Sequence, residues 1–88
     1  MADLTILRKQ LDNIDKSMME IVKHRFVVTR KIGIYKKEHN MPPADLSREA
    51  EIYEKLERKA VEYGVEPSVF VDIWKTVITQ VKKEHEEV

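Results

Sequence analysis

A chain of 88 residues makes one domain, 1–88, whose core is too small to be sturdy alone, since such a domain buries only about 60 to 65% of its unfolded surface. Sixteen Lys and Arg balance sixteen Asp and Glu, which leaves no basic field for a nucleic acid or an acidic membrane. With no cysteine there is neither a disulfide framework nor a thiolate metal site, and His24, His39 and His85 share no metal-ligand spacing, so neither metal nor cofactor is expected.

The first predicted helix starts after Asp3, a plausible N-cap, and carries apolar residues at Leu4, Leu7, Leu11, Ile14, Met18, Ile21, Val28 and Ile32. It runs to His39-Asn40, where Asn suits the left-handed position and Pro42-Pro43 forbid continuation. Gly33 costs about 1 kcal/mol relative to Ala inside a helix, which points either to a tolerated surface glycine or to a close approach by another backbone or a ligand.

The second predicted helix begins between Asp45 and Ser47, either of which can cap it, and Glu49 and Glu51 suit its positive end. Ile52, Tyr53, Leu56, Ala60 and Tyr63 keep the helical period, and Gly64-Val65 reads as a left-handed stop. Pro67 then opens a third helix with a broad apolar face of Val69, Phe70, Ile73, Trp74, Val77, Ile78 and Val81. The charged tail from Lys82 to Val88 is expected to fray.

These elements give an all-α chain of three helices, one very long and two medium. A helix from Leu4 to Glu38 is about 50 Å long, whereas a compact globule of this length has a radius of gyration of roughly 12 Å. The rest of the chain cannot cover such a rod, so an intertwined helical homodimer is expected. No apolar run is long enough for a signal peptide or a membrane span, and a cytoplasmic protein follows as the expectation.

Arg25 lies on the apolar stripe between Ile21 and Val28, where an unpaired guanidinium costs several kcal/mol unless an anion meets it. A carboxylate of the chain, Glu49 or Asp45, or a bound anion can fill that role. Lys36 follows eleven residues later, about 20° from the direction of Arg25 at ~100° per residue and ~16 Å along the axis, so two cations share one face. A small dicarboxylate fits such a pair, and Asp45, Arg48 and Glu49 must fold back beside Lys36 across a short turn. Helix capping alone also accounts for that Asp-x-x-Arg-Glu string. Arg8 lies 17 residues before Arg25, roughly 25 Å away, so the two can share a ligand only if two chains supply them.

Arg8 in a Leu-Arg-Lys context, Ile14-Asp15, Arg25, Lys36 and Asp45-Leu46-Ser47-Arg48-Glu49, on this helix pattern, resemble the chorismate mutase family of the all-helical type. The resemblance covers nearly the whole chain without a gap. It implies an intertwined dimer of three-helix chains, and an isomerase that converts chorismate to prephenate in aromatic amino acid biosynthesis. Arg25 and Arg8 of the other chain would hold the two carboxylates. Lys36 would reach a carboxylate and the ether oxygen, Glu49 would accept from the ring hydroxyl, and Asp45 and Arg48 would line the pocket.

A Claisen rearrangement needs no nucleophile and no proton transfer. It needs the substrate held in its compact chair and positive donors where the ether oxygen gains charge.

Two positions of the third helix depart from the family's pattern. Where the family has a small polar residue and, four residues on, a Gln or Glu donor to the ether oxygen, this chain has Val81 and His85. A cationic imidazole can donate a hydrogen bond, so His85 can stand in for that donor, Glu84 or no residue being the alternatives. The rival readings are a 4-amino-4-deoxychorismate mutase, an isochorismate pyruvate lyase and a non-catalytic helical dimer module. Glu49, an acceptor for a hydroxyl or an amine, argues against the lyase.

Overall fold

Three α-helices, and no strand among the described residues, make up the computed structural model, which describes residues 3–87. Helix α1 spans Leu4–Glu38, and Asp3 caps it by accepting a hydrogen bond from the Ile6 N–H. It ends as the sequence predicts: Asn40 takes a left-handed φ of 55°, and the Met41 N–H returns to the Lys36 carbonyl at 2.8 Å.

Helix α2 (Leu46–Tyr63) is capped by Asp45, whose Oδ1 accepts from the Arg48 N–H at 3.0 Å. Gly64, at φ 70°, reverses the chain, and the Val65 N–H reaches back to the Ala60 carbonyl. Helix α3 (Pro67–Glu87) starts on the proline, whose fixed φ suits a first helical position.

Helices α2 and α3 pack as an antiparallel pair around Leu56, Ala60 and Ile78, the buried apolar side chains among the described residues. Full burial of a side chain such as Leu56 contributes about 1.5 to 3 kcal/mol. Phe70 extends this core by meeting Tyr63 and Trp74 edge-to-face, with ring centroids 6.5 and 5.9 Å apart.

Helix α3 also packs against α1, through the C-terminal half of that helix. The N-terminal half is bare. Leu4, Leu7, Leu11, Ile14, Met18 and Ile21 are all exposed, and no described side chain of α1 is buried. The molecule accordingly measures 58 × 25 × 15 Å, with a radius of gyration of 16.5 Å against the roughly 12 Å of a compact chain of this length.

The charged tail differs from its expectation. Residues 82–87 continue α3 as helix, and Lys82, Glu84 and His85 are each bonded to another element, so this turn is docked and not frayed. Val88 lies outside the described residues. At Gly33 a side chain of the same chain makes the close approach. A Cβ built there would lie 2.8 Å from His85 Cδ2 and 2.9 Å from His85 Nε2.

Candidate active site

Every element contributes to one cleft of about 190 Å³. Helix α1 presents Arg25, Thr29, Ile32 and Lys36, whose spacing of four, three and four puts them on one stripe. The first turns of α2 present Asp45, Arg48, Glu49 and Ile52, and the last turns of α3 present Ile78, Val81, Lys82 and His85. Pro43 and Ala44 close one end. Of the residues singled out from the sequence, Arg25, Lys36, Asp45, Arg48, Glu49, Val81 and His85 all line this cleft, and Arg8 does not. Arg8 is exposed on the bare half of α1, roughly 25 Å up the helix axis from Arg25.

The hydrogen bonds divide these groups into committed and uncommitted ones. Asp45 spends Oδ1 on the α2 cap. Arg48 makes a solvent-exposed ion pair with Glu51 at 3.4 Å, of little energetic weight. Lys36 donates from Nζ to the Pro43 carbonyl at 3.3 Å, which ties α1 to the loop and leaves two of its three donors unspent on that bond.

Glu49 pairs with Lys82 at 2.6 Å, its side chain only 17% exposed. The hydrogen bond to Glu49 is the main cause that raises the Lys82 pKa above its ordinary value, against a smaller opposing effect of desolvation.

Arg25 therefore has neither of the internal partners the sequence offers. Its Nη1 is buried without a hydrogen-bond partner, and it forms no ion pair among the described residues. A buried donor left unmade costs about 1 to 3 kcal/mol, more when charged, which sets Arg25 apart from the other cations of the cleft.

His85 places Nε2 2.9 Å from the Thr29 carbonyl. A carbonyl only accepts, so Nε2 carries the proton. In the neutral ring Nδ1 is then an acceptor, and only the imidazolium has a donor there.

Lys82 is the charged cleft residue that sequence reasoning missed. Its signal was its place four residues after Ile78 and three before His85, on the face of α3 that the apolar stripe already defines. With Lys82 included, the cleft holds the cations Arg25, Lys36, Arg48 and Lys82 against the carboxylates Asp45 and Glu49. The surplus of two positive charges matches a dianion.

The sequence model of the family described as chorismate mutase type II matches residues 7–86. The chain belongs to that family. Among the family's curated members, a 4-amino-4-deoxychorismate mutase of Streptomyces pristinaespiralis is 30% identical over 77 residues, covering 88% of this chain and 60% of the relative. A bifunctional chorismate mutase/prephenate dehydratase of Aquifex aeolicus is 35% identical over 82 residues, 90% of this chain but 23% of the relative. A chorismate mutase of Methanocaldococcus jannaschii is 24% identical over 75 residues, 85% of this chain and 76% of the relative. The chain thus spans less than two thirds of the first two of these relatives. No described helix is long and apolar enough to cross a membrane.

Proposed function

We propose that this chain is a chorismate mutase that works as a cytoplasmic homodimer, rearranging chorismate to prephenate without a covalent intermediate. The observation that carries the reading is the buried, unpartnered Nη1 of Arg25 in a cleft with two surplus positive charges. Arg25 takes one carboxylate of the substrate. Arg8, stranded on an uncovered helix in the single chain, takes the other from a second copy, whose own apolar stripe covers the exposed Leu4 to Ile21 face.

In this reading the two Arg residues hold the substrate in its reactive chair. Lys36 directs a donor at the ether oxygen as its bond to carbon lengthens and negative charge collects there. His85 offers a second donor at the same oxygen, through Nδ1–H, only when its ring is protonated. Glu49 accepts from the ring hydroxyl, while Asp45 and Arg48 hold the start of α2 against the cleft. Val81 offers only apolar surface.

A non-catalytic dimer module is the weaker reading. It requires Arg25 to be a structural partner of Glu49 or Asp45, and no ion pair joins Arg25 to either among the described residues. A thermal-shift titration with chorismate and with a bicyclic dicarboxylate analogue tests the proposal. Ligand at a hundred times its dissociation constant adds about 2.7 kcal/mol. Both compounds are expected to raise the melting temperature, and a flat response to both would favour the module.

A further inference from the structure

Lys82 has no task in the chemistry above, yet it stands in the cleft with its ammonium on Glu49 at 2.6 Å. Any dianion bound here must turn its carboxylates toward the cations, so a hydrogen-bond donor elsewhere on the ligand has to find a carboxylate. Asp45 has given Oδ1 to the Arg48 N–H. Glu49 is the cleft carboxylate without a capping duty, and a ligand donor arriving at it arrives beside the Lys82 ammonium.

The two donors that a ring of this kind can carry behave differently in that place. A hydroxyl is neutral: it donates to Glu49 Oε2 while Lys82 keeps Oε1, and its own oxygen accepts from the same ammonium. An aliphatic amine is a cation at neutral pH and would sit against a second cation on one shared carboxylate, with like-charge repulsion in a half-buried cleft. The bond to Glu49 favours the charged form of Lys82, so the repulsion is not relieved by loss of its proton.

We infer that Lys82 is a specificity-determining residue, which makes this site select a ring hydroxyl over a ring ammonium at the position facing Glu49. The inference rests on the chorismate mutase reading and narrows it, because relatives of the chain bear the names of both chorismate mutases and 4-amino-4-deoxychorismate mutases. Lys82 is half-exposed on the surface of α3, so its replacement leaves the helix and its core contacts in place.

The test is kcat/KM for chorismate and for 4-amino-4-deoxychorismate, measured side by side in the wild type and in Lys82→Met, Lys82→Gln and Lys82→Arg. The wild type is expected to favour chorismate by at least ~30-fold. Lys82→Met and Lys82→Gln should shrink that ratio by ~10-fold or more, through a gain on the amino compound, and Lys82→Arg should keep it.

A merely structural residue would lower both activities together and leave the ratio unmoved. That outcome, or a wild type that prefers the amino compound, overturns the role of Lys82 while leaving mutase activity standing. A wild type that turns over neither compound overturns the mutase reading and this inference with it.

Discussion

Glu49 closes on Lys82 at 2.6 Å across the cleft, and in doing so leaves Arg25 without an internal counter-ion. Three helices have thus placed a satisfied ion pair beside an unsatisfied guanidinium.

The Glu49–Lys82 pair has a titration signature. The Lys82 pKa is raised, chiefly by its hydrogen bond to Glu49. A group whose folded pKa is raised contributes stability that is fully present below its unfolded pKa, about 10.4 for lysine, and is lost as pH rises through the higher folded value. NMR titration of the lysine side chains should find Lys82 above its ordinary value, and Glu49→Gln should bring it back down. A Lys82 that titrates alike in both proteins would show that the pair does not form in solution.

Arg25 makes the opposite prediction about stability. Where a guanidinium belongs to a buried ion pair, removing it costs about 3 to 5 kcal/mol. Here the removed Nη1 has no partner, so Arg25→Met, which keeps the apolar stem, should leave the ligand-free protein at least as stable as the wild type. A gain of about 1 kcal/mol would raise the melting temperature by roughly 4 to 8 °C at fixed protein concentration. A loss of several degrees would reveal an internal partner for Arg25.

Much of this arrangement was legible in the sequence, and the parts that were not share a cause. Asp3, Gly64 and Pro67 mark the helix ends through local chemistry where predicted, and of the two candidate caps of α2, Asp45 and Ser47, it is Asp45 that serves. The stripe of Arg25 and Lys36 follows from helical period alone. The tail of α3 was misread because its charges look solvated until α3 is laid across α1, when Glu84 meets Arg30 at 3.3 Å and His85 meets Thr29. Those partners lie 54 and 56 residues apart in the chain, a distance over which periodicity carries no information. Gly33 signalled a close approach, but its neighbour, His85, emerges only from packing.

That packing makes Gly33 and His85 energetically coupled. Gly33→Ala should gain about 1 kcal/mol of helix propensity, but the new Cβ would lie 2.8 Å from a ring pinned to the Thr29 carbonyl. The substitution is therefore expected to give little or no stabilisation in the wild type, and the full gain of about 1 kcal/mol in a His85→Ala background. Chemical denaturation of the four proteins in this cycle measures the coupling. Equal effects in both backgrounds would mean that His85 does not rest on Gly33.

The bare stripe of α1 predicts that the sites are shared between chains. Arg8→Ala and Arg25→Ala should each be nearly inactive, since either removes one carboxylate contact from every site. After the two inactive proteins are unfolded together and refolded, about a quarter of all sites should regain both Arg residues at random pairing. The assay is the recovered activity of the mixture. No recovery, with heterodimers present by mass spectrometry, would place both Arg residues in the same chain's site.

The most direct measurement is kcat/KM for loss of the chorismate enol ether, compared between the wild type and Arg25→Met. Losing a charged contact that compresses the substrate should lower kcat/KM by at least ~100-fold, about 2.7 kcal/mol, while the fold remains intact. An Arg25→Met protein that converts chorismate as fast as the wild type would contradict the claim that the Arg25 guanidinium awaits the substrate's carboxylate.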